Sequence, residues 1–283
     1  MHDKELIYDV GANDGSDTAY YLRRGYRVIA IEADPSLVKK LRECRSMEIA
    51  AGRLMVLNIA VTEKDQEQVT FYLSRDDSKS SLIKEMSERD GVNIDSVEVT
   101  GRSLGSLFDE FGVPFYCKMD IEGYDAKAIA GLTGYKGRPP HISCESTGRS
   151  IGKVYPDNDG LYQVLDALVS AGYTRFKLVD QDSLHILSDQ DHYRFLHKWT
   201  TRIRTKLERW TGLLSPRYNN KLYQLKKGLL EGDYATGAFG TSLAGEWSDY
   251  ATTKKYLARH FSDYFEHTQN KELVFWVDIH ATY

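Results

Sequence analysis

Two short stretches carry the residues whose types and spacing suit chemistry. The first, Leu6 to Thr18, reads LIYDVGANDGSDT: an apolar run ends at Asp9, and glycines follow at Gly11 and Gly15. A strand, a glycine turn and a helix start in that order let a ligand approach the backbone and meet unpaired N–H groups. The second, Lys118 to Leu132, reads KMDIEGYDAKAIAGL, with Asp120 closing an apolar run and Glu122 two residues later. A carboxylate at a strand's carboxyl end can accept a proton beside a bound ligand, whereas one just before a helix can simply cap it. Asp120 is expected at the crevice, and Glu122 is open to both roles.

Other candidates are read against these two. Glu32 closes the run RVIAI, where a carboxylate can accept hydrogen bonds from ribose hydroxyls. A nicotinamide fingerprint needs G-x-G-x-x-G, but this turn reads G-A-N-D-G, and Asp14 and Asp17 add negative charge where a pyrophosphate would sit. That pattern suits a ligand carrying an amino group and a sulfonium, and it ranks a nicotinamide oxidoreductase below. Glu145 joins Asp120 and Glu122 as a candidate base, and His141, His185 and His280 are the candidate imidazoles. A lone histidine is read first as structural. VDIH places Asp278 and His280 on one face of the last strand, so His280 carries the most weight of the three. No metal is expected, because Asp120, Glu122 and Glu145 show no distinctive ligand spacing.

The elements that must position these residues alternate. Strands are expected at Leu6 to Val10, Arg27 to Ile31 and Leu54 to Ile59, with helices at Ser16 to Arg24, ended by Gly25, and at Pro35 to Cys44. Between Val61 and Gly101 the alternation breaks, with strands at Val69 to Leu73 and Val97 to Thr100 around a polar segment. It resumes with a helix at Leu104 to Phe111, a strand at Pro114 to Met119, a helix at Tyr124 to Gly131, and a strand at His141 to Cys144. Helix Leu161 to Ala171 and strand Thr174 to Val179 follow, and LVFWVDIH from Leu273 to His280 is the last strand. The pattern predicts an α/β fold with a Rossmann-like, mostly parallel sheet covered on both faces and an antiparallel last strand. Residues 1–188 and 272–283 would form that domain, and 189–271 a helical insertion before the last strand.

Composition fits one large folded unit: 283 residues, 41% hydrophobic, with a net charge of −4 too small to recruit nucleic acid globally. Three cysteines, Cys44, Cys117 and Cys144, make a disulfide framework unexpected. The first residues lack a signal-peptide pattern, and no stretch approaches about 18 apolar residues. A cytoplasmic location is expected.

The insertion is basic. Between positions 194 and 227, ten Lys and Arg residues accompany the single acid Glu208, and Phe195, Trp199, Ile203, Leu207 and Trp210 recur at helical spacing. One reading is an amphipathic helix packed on the body with a solvated basic side. Another is a surface for a phosphate- or lipid-linked acceptor, peripheral to the inner membrane surface. Nucleic acid is not expected, since no recognised module accompanies the stripe. The segment Gly232 to Tyr250, rich in glycine and aromatics, reads as a lid, an acceptor-stacking loop or a connection anchored by Trp247.

Taken together, DVGANDG at 9–15, IEADP at 31–35, NIAV at 58–61, SSL at 80–82, KMDIEGYD at 118–125 and HISCE at 141–145 resemble the FkbM-type family of class I S-adenosylmethionine-dependent methyltransferases. The resemblance covers about Leu6 to Val179 and the final strand. It implies that Asp9, Gly11, Asn13 and Gly15 form the methionine end of a cofactor site and that Glu32 holds the ribose. Ala33 and Asp34 would lie near the adenine, with Asn58 and Ala60 bordering its pocket, and Asp120 near the transferred methyl. It further implies an O-methyltransferase acting on a sugar hydroxyl of a polysaccharide, glycolipid or glycosylated metabolite, releasing S-adenosylhomocysteine, with Asp120, Glu122, Glu145 and His280 as catalytic candidates. The alternative is a non-catalytic binding module acting through its basic insertion.

Overall fold

The computed structural model describes residues 3–74, 80–87, 95–149, 159–180, 186–187, 238–268 and 274–283. β1 (Asp3–Val10) is buried on both sides from Leu6 to Val10, with Ile7 facing one core and Tyr8 and Val10 the other, as expected of a central parallel strand. α1 (Ser16–Arg23) is followed by Gly25 at φ 88°. β2 (Arg27–Glu32) leads to α2 (Pro35–Cys44), whose first turn is capped by Asp34 accepting from the N–H groups of Ser36 and Leu37. α3 (Ser46–Ala50) and β3 (Leu54–Asn58) complete the first half.

The interruption in the alternation is a second, smaller sheet. β4 (Ala60–Thr62), β5 (Gln66–Leu73) and β6 (Asp95–Ser103) lie in the order β4-β6-β5, with β4 parallel and β5 antiparallel to β6. The short α4 (Lys84–Ser87) follows β5. The main alternation resumes with α5 (Leu104–Phe111), β7 (Pro114–Met119), α6 (Asp125–Ala130), β8 (His141–Arg149), α7 (Asp159–Ser170) and β9 (Arg175–Asp180).

β10 (Ile186–Leu187), a two-residue strand too short to show a periodicity, pairs antiparallel with β9. α8 (Tyr250–Thr268) then leads to β11 (Val274–Thr282), which runs antiparallel between β8 and β9 as expected. The main sheet has the order β10-β9-β11-β8-β7-β1-β2-β3. The strand order therefore reverses between β1 and β7, and a crevice opens at their carboxyl ends, where open α/β sheets bind ligands.

Of the span expected as an insertion, residues 238–268 pack on the body. Phe239 stacks on Tyr116 at 4.4 Å between ring centroids, within a core that includes Tyr20 and Tyr21. Ser248 pairs with Phe176, and α8 sends Leu257 and Phe261 into the opposite core. The basic stripe from 194 to 227, and His185, lie outside the described residues. Cys117 and Cys144 are buried free thiols, and Cys44 is an exposed one. Among the described residues no helix is long and apolar enough to cross a membrane.

Candidate functional site

The turn after β1 is built by its own backbone. Gly11 and Ala12 donate to the Ile31 carbonyl at 2.9 and 3.0 Å, Gly15 to the Ala12 carbonyl at 2.8 Å, and Asp120 N–H to the Val10 carbonyl at 3.0 Å. Asn13 N–H donates to Glu32 Oε2 at 2.9 Å, and Ser16 N–H to Asp14 Oδ1 at 2.9 Å. The expected row of unpaired donors is therefore absent at Gly11, Ala12, Asn13, Gly15 and Ser16, because the end of β2 and the turn's own groups consume them. A pyrophosphate would find little there to bind.

Both glycines are required by contact as well as by conformation. At Gly11, φ 79°, an added Cβ would lie 1.9 Å from the Asp120 carbonyl oxygen; at Gly15, φ 78°, it would lie 2.4 Å from Leu41 Cδ1. Gly11 thus lets β1 and β7 close together under the crevice, whereas Gly15 lets α1 approach α2 and does not itself line the crevice.

A cavity of about 220 Å³ occupies the crevice. Its apolar lining is Ala33, Ile59, Ala60, Val61, Phe71 and Leu82, the kind of surface that takes an aromatic ring. The strand order β7-β1-β2-β3 puts Asp120 and Glu122 after β7 and Asp14 and Asp17 after β1, with Lys118 as the cation, and Glu32 at the end of β2 between them and the residues after β3. Glu32 is buried and raised above the usual carboxylate range by that burial, partly offset by backbone N–H groups of Asp34 and Asn13. Each of its oxygens already accepts one such bond, leaving lone pairs for ligand hydroxyls.

Two expected contacts hold the site from behind. Asp34 is spent on capping α2 and does not line the crevice. Asn58 donates to the carbonyls of Glu32 and Ala33 at 3.1 and 2.9 Å, fixing the end of β2. Asp9 is likewise fully buried beneath the turn, accepting from Thr18 Oγ1 at 2.5 Å. Burial, against the attraction of Lys118, pushes its carboxyl up to about 7.

Lys118, quoted in the second stretch but assigned no role there, is the centre of the charged end. Only 6% exposed, its Nζ meets Asp17 at 2.8 Å and Asp120 at 3.3 Å. Burial disfavours its charge, but Asp17, Asp120 and Asp9 outweigh that and hold its pKa well above the ordinary lysine value. The same pairing works in reverse on Asp120: burial opposes ionisation, and Lys118 with a hydrogen bond from Glu145 overcomes it.

The carboxylate trio is brought together. Asp120, Glu122 and Glu145 place one oxygen each within 4.8 Å of one another, a spacing that a shared proton or a bridging cation could occupy. Burial, then the charges of Asp120 and Glu122, push the Glu145 carboxyl well above its usual range. Burial thus favours the protonated form of Glu145, while the hydrogen bond between the two side chains favours the ionised form of Asp120. Glu122 is not the N-cap residue of the next helix: that position is Tyr124, and Glu122, two residues earlier, sits at φ 51°.

His280 is not part of this group. It is 2% exposed beside Ser143 and Lys177 in the sheet, does not line the crevice, and burial with the nearby Lys177 charge lowers its pKa to about 3. The alternation that put it on the same face as Asp278 is correct, but β11 runs downward, so His280 lies one pleat below Asp278 and Glu145, away from the carboxyl ends. His141 lies lower still, opposite Thr282 and stacked on Trp247.

Comparison with known proteins follows the same residues. A family model described as the methyltransferase FkbM domain matches residues 9–174. No curated protein matches the chain. Among solved structures, methyltransferase FkbM from Methylobacillus flagellatus KT is 19% identical, with 63% of this chain and 40% of that one covered and a TM-score of 0.40. Phosphoethanolamine N-methyltransferase 2 of Haemonchus contortus, in complex with S-adenosyl-L-methionine, is 10% identical over 100% of this chain and 49% of its own, with a TM-score of 0.43. A SAM-dependent methyltransferase from Geobacter sulfurreducens, in complex with S-adenosyl-L-homocysteine, is 12% identical over 100% and 86%, with a TM-score of 0.39. This chain spans less than half the length of the first two.

Proposed function

The chain belongs to the FkbM methyltransferase family, and on that premise we propose that it binds S-adenosylmethionine in the crevice between β1 and β7 and methylates a hydroxyl group of a sugar-containing acceptor. The observation that carries the cofactor reading is the polarity of the cavity. Apolar residues gather on the β3 side, Glu32 closes β2, and carboxylates outnumber Lys118 on the β1 and β7 side. Those three parts fit an adenine, a ribose and a cationic sulfonium with its amino group in that order. The engaged N–H groups of the turn argue in the same direction, against a pyrophosphate.

In this reading Ala33, Ala60, Phe71 and Leu82 hold the adenine, Glu32 the ribose hydroxyls, and Asp14, Asp17 and the Gly11 turn the amino acid end. When bound, the cofactor supplies an electrophilic methyl group on a positively charged sulfur. The protein's part is alignment and proton removal. The acceptor O–H must lose its proton as the new C–O bond forms and the C–S bond breaks, and Asp120, ionised at the mouth of the crevice, receives it. Lys118 holds Asp120 in place and charged, and Glu145, its protonated form favoured by burial, steadies it by hydrogen bonding. A sugar hydroxyl as acceptor, with a phosphate- or lipid-linked glycan meeting the basic stripe, extends the family resemblance.

Labelled S-adenosylmethionine incubated with sugars, nucleotide sugars and lipid-linked glycans tests the activity, and calorimetry against S-adenosylhomocysteine and NAD tests the site. Binding of NAD with none of S-adenosylhomocysteine would sink the cofactor reading. Label on a nitrogen acceptor alone would leave the cofactor and overturn the sugar hydroxyl.

A further inference from the structure

We infer that Ser81 is a positioning residue that ties the wall of the cofactor crevice to the acid centre through the backbone of Glu122. The inference rests on the cofactor reading above. Ser80 and Leu82 line the crevice on either side of Ser81, while Ser81 itself is fully buried behind them. Its backbone is paired in both directions with Tyr72 of β5, at 2.9 and 3.0 Å, so the small sheet fixes its place.

The hydroxyl has only one arrangement open to it. Ile83 N–H donates to Ser81 Oγ at 3.0 Å, and Ser81 Oγ in turn donates to the Glu122 carbonyl at 2.9 Å. An N–H cannot accept, so the single hydroxyl proton points at Glu122. Glu122 and Gly123 are consecutive left-handed residues, φ 51° and 88°, and a side chain with a Cβ seldom adopts that conformation unaided. The tie holds the turn there, and the turn aims the Glu122 carboxylate at Asp120 and Glu145. Released, Glu122 would return to an ordinary backbone region and carry its carboxylate away. A ligand that presses on Ser80 and Leu82 therefore also fixes Glu122, so that filling the crevice and assembling the acid centre become one event.

The test needs no acceptor, because the cofactor and its product differ in charge at sulfur. The ratio of S-adenosylmethionine to S-adenosylhomocysteine affinity, measured by calorimetry, reads the negative charge near that atom. Glu122→Gln is expected to lower this preference about threefold to tenfold. Ser81→Ala should lower it by a similar factor, with S-adenosylhomocysteine affinity within about twofold of wild type. The double variant should fall no further than either single one, the signature of two residues acting as a unit, and Ser81→Thr, which keeps the hydroxyl, should retain the wild-type ratio. An unchanged ratio in Ser81→Ala, or effects that add in full, would overturn the role. Hydrogen exchange on the wild-type protein gives a measurement independent of any variant's folding. S-adenosylhomocysteine should slow exchange at 80–84 and 121–125 together, and protection of one segment alone would overturn the coupling. Wild-type protein that binds neither ligand would instead bring down the cofactor reading itself, a distinguishable outcome.

Discussion

Replacing Lys118 with methionine keeps most of the side chain's volume and removes one buried charge from among three carboxylates. Its two ion pairs, 2.8 Å to Asp17 and 3.3 Å to Asp120, represent gross attractions of about 6 and about 5 kcal/mol at an effective dielectric constant near 20. Much of that is offset by the cost of desolvating the ammonium. The Asp120 pair is discounted further, because that side chain is 36% exposed, whereas Asp17 is 14% exposed. Deleting one partner of a buried pair typically costs about 3–5 kcal/mol, because the other charges are left uncompensated.

Lys118→Met is therefore expected to lose about 3 kcal/mol or more at pH 8 by urea unfolding. The sign with pH follows from which charges are left. Lys118 is what lowers Asp9 and Asp120; without it both carboxyls shift upward, so the penalty is present at high pH and is relieved as protons bind on the way down. Asp9, already pushed up to about 7 with the lysine present, takes its proton first. The deficit should accordingly shrink between pH 8 and pH 5, and Asp17→Asn in the same background should recover part of it at pH 8. A loss under about 1 kcal/mol at pH 8, or one of equal size at pH 5, would refute the reasoning.

Four further outcomes are expected. Gly11→Ala should weaken S-adenosylhomocysteine binding more than tenfold by calorimetry, since its Cβ would sit 1.9 Å from the Asp120 carbonyl oxygen. Gly25→Ala, with nothing within 4 Å, should cost only left-handed strain of about 1–2 kcal/mol in thermal unfolding. Asp125, buried at the start of α6 and raised from 3.8 to about 8 mainly by burial, contributes stability that is fully present below pH 3.8 and lost as pH rises through about 8. Asp125→Asn should flatten that part of the urea-derived stability profile and be more stable than wild type at pH 9; an unaltered slope would contradict the assignment. Phe239→Ala should destabilise by about 3–5 kcal/mol in urea, as for a core aromatic, because Phe239 stacks on Tyr116 among Tyr20 and Tyr21; a surface loop would lose under about 0.5 kcal/mol.

Much of this molecule was legible in its sequence because the information is local. Runs of apolar residues bounded by Asp34-Pro35, Ser103 and Gly112 carry their own start and stop signals, and α2, α5 and β7 fall at the expected residues. The turn at Gly11, the strand-end acids Glu32 and Asp120, and the antiparallel last strand follow from the same alternation of pattern. What each residue does with its polar atoms is not local. The N–H groups of the first turn are consumed by the end of β2, Asp34 and Asn58 are spent on backbone, and His280 lies one pleat below the acids because β11 runs against its neighbours. Lys118 gains its role only when Asp9 and Asp17 of the first stretch close on it beside Asp120, and Ser81 only when the small sheet meets the Glu122 turn. Periodicity determines which face a side chain takes. Its partner and its protonation state depend on distances between segments far apart in the chain, and those the tertiary structure decided.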